Sequence, residues 1–277
     1  MPYLMAKTMN EAFSALAIPD VSVIAGGTDW FPQAGDMLTR RPLLDVTRLP
    51  GFRGISQDGA GWRIGAATRW SDLIAGDLPP AFDGLKAAAR EVGSVQIQNR
   101  GTIAGNLCNA SPAADGVPPL LTLQAQVELV SAAGTRVVAL EDFITGVRRT
   151  VLMPGELVSA ILIPESAGRG GFLKLGVRRY LVISIAMVAG VVRVEGGVIS
   201  GVRLAVGSCS PVAQRLPGLE ARLLGHPVAL PVVVGAGDLA GLTPITDLRG
   251  TGGYRMEAVA ELLQRLIAEL TGGPAHG

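Results

Sequence analysis

The chain is 277 residues long, with 24 basic and 23 acidic side chains, 48% apolar residues and 4% aromatics. Near-neutral charge leaves no basic footprint for nucleic acid, and so few aromatics argue against a base-stacking platform. Two cysteines (Cys108, Cys209) and two histidines (His226, His276) fall short of the four thiolates of an iron–sulfur cluster, and serve a Cys/His zinc site or a disulfide framework poorly. Redox chemistry in such a chain calls for an organic cofactor. The length allows one large domain or two. The N-terminus has no long apolar segment of the signal-peptide kind. The apolar stretch at 180–192 is broken by Ser184 and Gly190 and is shorter than the roughly 18 residues of a membrane span. The expectation is a soluble, cytoplasmic protein without a membrane span.

In chain order, Thr8-Met-Asn-Glu11 reads as a capping box opening a helix to about Leu16. Val21–Ala25 reads as a strand that stops at Gly26-Gly27-Thr28-Asp29. Strand-like pieces follow at Leu43–Val46 and Trp62–Ala66. Ser71 reads as the cap of a short helix, and Gly84–Val92 as a longer one. Val127–Val130 and Arg136–Leu140 flank Ala133-Gly134 as a hairpin. From Gly93 to Pro119 the pattern is neither helical nor alternating, and the segment is dense in Gly, Asn, Ser and Thr. It reads as a long stretch without regular structure, the kind that is often functional. Leu157–Ile163 is a strand, and Glu165–Gly171 has the composition of a linker. Beyond it, Phe172–Gly176, Ile183–Val194 and Val198–Val206 read as strands, and Leu216–Leu224 and Met256–Leu270 as helices. The mixed order of strands and helices predicts an α+β protein.

Three glycine-rich segments invite a ligand reading, and the dinucleotide fingerprint is tested before the other two. Val232–Ala240 matches the G-x-G-x-x-A dinucleotide fingerprint at Gly235, Gly237 and Ala240, with Glu257 downstream. Pro244 falls where the crossover helix should run, and too little chain follows for a nucleotide-binding half, so a glycine-rich turn is the better reading. In Ala25-Gly-Gly-Thr-Asp29, consecutive glycines after a strand let backbone amides converge on an anion. A tight structural turn explains the same residues. A second cluster, Arg100-Gly-Thr-Ile-Ala-Gly-Asn106, is followed by Asn109, Ser111 and Asp115. Together the two loops suit a long, diphosphate-containing molecule gripped from both sides.

Ile24–Asp29, Arg63-Ile-Gly-Ala-Ala-Thr68 and the block Gln98–Asp115 resemble the FAD-binding (medium) subunit of the molybdenum hydroxylases. These are the medium subunit of carbon monoxide dehydrogenase and the flavin domain of xanthine dehydrogenase. The resemblance continues through Glu141–Gly146, Pro154–Leu157, Lys174–Arg179, Asp247–Thr251 and Tyr254-Arg255. It implies a two-lobed FAD-binding domain of the PCMH type at 1–166, with lobes at about 1–55 and 56–166. A smaller sheet-plus-helix domain follows at 167–277. It further implies FAD contacts at Ile24, Ala25, Gly26, Gly27, Thr28, Asp29 and Trp30, and a second loop at Thr102, Ala104, Gly105 and Asn106. Asp115 is implied as a further polar contact and Lys174 as a residue near the flavin. Ala104 stands where the loop usually has glycine, and Val92 where some relatives have an aromatic. Trp30 and Tyr180 are candidates to shield the flavin ring. Arg148 and Arg149 read as a solvated or interface pair, and Cys108 as a small buried side chain.

The implied partners are a small iron–sulfur subunit and a large molybdopterin subunit, in a heterotrimer or its dimer. Electrons would pass from iron–sulfur centres through FAD to an external acceptor. No catalytic side chain and no metal ligand is assigned. A stand-alone flavin oxidoreductase, a non-catalytic flavin-binding homologue and a homologue without FAD remain as alternatives.

Overall fold

The computed structural model describes residues 3–35 and 41–272. His276 and the outer ends of the two expected domains lie outside them. Strand β1 (Tyr3–Met5) leads into helix α1 (Met9–Leu16). Thr8 Oγ1 accepts from the Glu11 amide at 3.2 Å, and the Glu11 carboxylate accepts from the Lys7 and Thr8 amides at 2.7 and 3.3 Å. The expected capping box therefore forms, and satisfies amides that a helix start leaves open. After β2 (Ser22–Ile24), helix α2 (Trp30–Ala34) and β3 (Leu43–Asp45), the three strands make a parallel sheet with β3 in the middle.

Next come β4 (Ile55–Asp58), β5 (Gly61–Gly65), α3 (Trp70–Ala75), α4 (Asp83–Glu91), α5 (Val95–Gln98), α6 (Ile103–Asn109) and α7 (Val117–Thr122). The chain returns to strand structure as β6 (Gln126–Ser131) and β7 (Gly134–Ala139). The short helix α8 (Leu140–Phe143), the hairpin β8 (Ile144–Gly146) and β9 (Arg149–Thr150), and β10 (Leu157–Pro164) follow. Strand β10 enters the centre of an antiparallel sheet ordered β4-β5-β10-β6-β7. Everything between β5 and β6 thus leaves the sheet and comes back, and this excursion carries the second glycine cluster.

Two expectations are corrected here. Helix α3 is capped at Arg69, whose amide donates to Asp72 at 3.0 Å, and Ser71 lies inside the helix. The segment 93–119, expected to be irregular, holds α5, α6 and α7. Ser94 and Thr102 hydroxyls accept the amides of Ile97 and Gly105 at 3.4 and 3.2 Å. Side-chain caps of this kind let short helices form despite poor intrinsic propensity.

The last third builds a four-stranded antiparallel sheet in order from β11 (Arg169–Leu175), β12 (Ala186–Glu195), β13 (Val198–Gly207) and β14 (Gln214–Arg215). Helices α9 (Pro217–Leu223) and α10 (Gly252–Thr271) pack with it around Leu204, Leu219, Val259, Leu263 and Ile267. The β12–β13 turn is Gly196-Gly197, both at positive φ (57° and 77°), which L side chains adopt at a cost. The expected linker is shorter than read, because Arg169–Gly171 already belong to β11. These glycines serve close approach: a Cβ on Gly170 would lie 2.2 Å from the Ala81 carbonyl oxygen, and one on Gly84 2.6 Å from that of Gly171. The 232–240 fingerprint has no strand before it and ends in a 3-10 turn at Ala236–Leu239, so the glycine-rich turn stands.

The main core joins the first two sheets and also takes in Val191 and Ala205 from the third. A small cluster of Ala88, Phe172, Met187 and Ala189 seals the same seam. Arg255, 2% exposed, donates to the carbonyls of Ile185 and Ser208 and to Asp247 Oδ1 at 2.8 Å. The Asp247 and Arg255 blocks therefore act as an internal brace.

Several carboxylates titrate low in the fold. The Arg53 guanidinium holds Asp72 below its usual range, Arg136 does so for Glu156, and the Arg249 amide for Asp247. A depressed folded-state pKa adds stability above the unfolded value and loses it as pH falls through the folded one. The melting temperature should hold from about pH 5 upward and drop progressively below about pH 4. A melting temperature unchanged between about pH 5 and pH 3 would refute this.

Candidate cofactor cleft

The site begins where β2 ends. From Gly26 to Asp29 the chain turns away from the sheet, and among the described residues the amides of Gly26, Gly27, Thr28 and Asp29 have no hydrogen-bond acceptor. Four neighbouring unpaired amides form the kind of concavity that takes an anion. Gly26 is required by contact: a Cβ there would lie 1.9 Å from the Arg100 carbonyl oxygen. Gly27 sits at φ 70° with the Phe31 ring 2.5 Å from where its Cβ would be. The first loop is thus pressed flush against the backbone of the second.

The second loop is built differently. The amides of Gly101, Ile103, Ala104 and Asn106 donate to the carbonyls of Ile97, Thr68, Ala66 and Thr102 at 2.6, 3.0, 3.2 and 3.1 Å. Gly105 donates to Thr102 Oγ1. Its backbone donors are spent on positioning the loop, Ala104 included, so this side offers side chains. Asn106 Oδ1 is buried without a partner. An orphaned buried acceptor carries a desolvation cost that a ligand donor removes.

Between the loops lies a cleft of about 810 Å³, within the size range of small-molecule sites. Ile24, Ala25, Gly26, Gly27, Thr28, Asp29, Trp30, Thr102, Gly105 and Asn106 all line it. Ala104, Asp115 and Lys174 do not. Ala104 is buried within α6. Asp115 and Lys174 pair with each other at 2.7 Å, and the Ser184 hydroxyl donates to the second Asp115 oxygen at 2.6 Å. Burial pushes the Asp115 carboxyl up, with Lys174 and Ser184 opposing that shift. The Lys174 side chain is 6% exposed, so it is no ordinary surface lysine. The pair ties the segment after α6 to β11, behind the cleft wall.

Cys108, expected to be buried, is exposed on the cleft. Cys209 is buried, and its thiol is pushed up to about 11 by desolvation. Trp30 lines the cleft and packs edge-on against Phe31 at 5.2 Å, whereas Tyr180 is 62% exposed and outside it. Val92 lines the cleft without an aromatic ring. Sequence reading passed over Trp70, whose buried indole backs both Gly101 and Gly116, and did not connect Arg148, half exposed, with the cleft that it reaches from the β8–β9 hairpin. No local pattern marks either residue, because sheet topology delivers both.

Residues 1–166 match the FAD binding domain in molybdopterin dehydrogenase, and residues 172–270 match the CO dehydrogenase flavoprotein C-terminal domain. The glyceraldehyde dehydrogenase medium chain of Sulfolobus acidocaldarius is 31% identical over 97% of both chains. The carbon monoxide dehydrogenase medium chain of Hydrogenophaga pseudoflava is 30% identical over 96% of this chain and 95% of its own. Among solved structures, a Cu,Mo-CO dehydrogenase chain superposes with a TM-score of 0.89 at 26% identity, covering 98% of each chain. Quinoline 2-oxidoreductase of Pseudomonas putida 86 gives 0.87 at 25% identity, covering 98% of this chain and 97% of the other. The chain belongs to the family of FAD-binding medium subunits of the molybdenum hydroxylases. It is an electron-transfer subunit of an oxidoreductase, and its cofactor is FAD. The cleft fits that cofactor on its own terms, since unpaired amides suit a diphosphate and the orphaned Asn106 oxygen suits a donor on the ligand.

Proposed function

We propose that this chain receives electrons from iron–sulfur centres on a small partner subunit and passes them through FAD to an external acceptor. A large molybdopterin subunit completes a cytoplasmic heterotrimer in which the substrate is oxidised. The observation that carries the reading is that one cleft is lined both by Gly26–Asp29, whose amides have no acceptor among the described residues, and by Asn106, whose buried side-chain oxygen has no partner. The first loop would hold the diphosphate by its backbone, and Asn106, Thr102 and Gly105 would bound it from the other side. Trp30 and Trp70 would exclude water, and Asp115 and Lys174 would steady the wall behind. Domain limits at 166/167, and a division of the first domain near 55/56, belong to the same proposal. When bound, FAD supplies the redox chemistry, and the protein supplies position and electrostatics.

Two further features support an assembly. The two cysteines of this sequence are too few for the usual four-thiolate cluster, which supports placing the iron–sulfur centres on a partner. Val177, Tyr180, Leu181 and Ile183 are all more than half exposed on one segment, and Ile183 also borders the cleft. Such an apolar stretch is suited to a partner surface.

The purified chain, reconstituted with FAD, is expected to show flavin absorbance near about 450 nm, bleached by a chemical reductant. Its expression with the neighbouring reading frames should yield a complex with iron–sulfur and molybdopterin subunits. Absence of flavin binding after reconstitution would defeat the proposal, and turnover of a substrate by the isolated yellow chain would favour a stand-alone enzyme.

A further inference from the structure

Arg148 stands in a position that the proposed cofactor reading leaves unused. It occupies the tip of the β8–β9 hairpin at φ 59°, a left-handed conformation that a non-glycine residue adopts at a cost. Its amide donates to the carbonyl of Ala110 at 2.9 Å, and Ala110 is itself left-handed (φ 48°) at the end of α6. Two strained residues, held to each other by a backbone hydrogen bond, thus fix where the side chain starts. From there the guanidinium spans the cleft: Nη1 donates to Asn109 Oδ1, to the Asn109 carbonyl at 3.3 Å and to Asp29 Oδ2 at 3.4 Å. Asp29 is the last residue of the unpaired-amide loop. Arg148 therefore places a cation beside a stretch of the cleft wall that suits an anion.

The Asp29 contact is long, and both side chains are about half exposed (51% and 54%). An exposed pair of this kind contributes little on its own. It does not account for two left-handed residues being spent to aim the arginine. A planar guanidinium offers parallel N–H donors that match phosphate oxygens, which a carboxylate at 3.4 Å does not engage.

Resting on the FAD reading, we propose that Arg148 is a diphosphate-binding residue that closes over the cleft. It exchanges its loose contact with Asp29 for the phosphate oxygens of the ligand, while Asn109 keeps the guanidinium in place. The first loop then grips the diphosphate by amides from one side and Arg148 neutralises it from the other. No bond is made or broken in this exchange.

The test compares FAD with riboflavin, which lacks phosphate, by fluorescence titration of the apo-chain. Arg148→Ala is expected to weaken FAD binding by about 10-fold to 100-fold, the scale of a charge-assisted hydrogen bond. Riboflavin binding should stay unchanged. Arg148→Lys, which keeps the charge but loses the fork, should fall between. The loss on Arg148→Ala should persist in an Asp29→Asn background, because the lost contact is with the ligand. Equal losses for both ligands, or disappearance of the effect with Asp29→Asn, would overturn the proposal and leave Arg148 as a prop for Asp29. If wild-type protein takes up no FAD, the cofactor reading itself fails. If wild type binds and Arg148→Ala binds equally well, only the role of Arg148 fails.

Discussion

Replacing Lys174 with methionine is expected to cost about 3–5 kcal/mol of folding stability, measured by urea denaturation. The change leaves Asp115 buried beside a single hydroxyl donor, Ser184, with no cation to balance it. The two side chains are 6% and 9% exposed, so water cannot substitute for the missing partner. The double variant Lys174→Met/Asp115→Asn should lose less than Lys174→Met alone, because removing both charges removes the uncompensated one. A single-variant loss below about 1 kcal/mol would show that the carboxylate finds another partner or is neutral in the fold. The pair also joins α6's trailing segment to β11, so a loosened cleft should accompany the loss.

A methyl group on Gly26 should be the most damaging small substitution in the cleft. Its Cβ would lie 1.9 and 2.6 Å from the carbonyl oxygen and carbon of Arg100, and 3.0 Å from the Cα of Gly101. All three atoms are backbone, so no side-chain rotation relieves the overlap. Overpacking of this kind costs about 1–3 kcal/mol, and relief requires the two loops to part by roughly 1.5 Å. Displacement on that scale moves the unpaired amides away from the second loop, and Gly26→Ala is expected to weaken FAD binding at least about 100-fold in the same titration. Gly218→Ala, in α9 with open space around it, is the control and should be neutral or slightly stabilising. Retention of wild-type affinity by Gly26→Ala would mean that the seam between the loops does not shape the site.

Much of this was legible in the residues, and the failures have physical causes. Strong periodic signals held: the capping box at Thr8, the 126–139 hairpin and the apolar face of α10 all formed close to their expected limits. The 93–119 segment was misread because its helices are only four, seven and six residues long, too short for periodicity. Their real signal was the hydroxyl caps at Ser94 and Thr102. Gly170 and Gly171 looked like linker because composition does not distinguish a glycine that flexes from one that lets backbones touch. In the site, motif residues at 24–30 and at 102, 105 and 106 were legible as candidates for one cleft because each loop is contiguous. Arg148 and Trp70 were not, since only the path of the chain through β10 and the α3–α7 excursion brings them to the same cleft.

The contacts at Gly84 and Gly170 have a mechanical side. Where two main chains meet with no side chains between them, no soft layer remains to absorb sliding or bending. Main core residues Val191 and Ala205 extend the same stiffness inward. A neighbour that grips the third sheet would therefore hold the cofactor wall as firmly as if it touched it. The subunit is built as a bracket, so the gap that an electron must cross would be set by how the neighbour seats and not by motion within this chain.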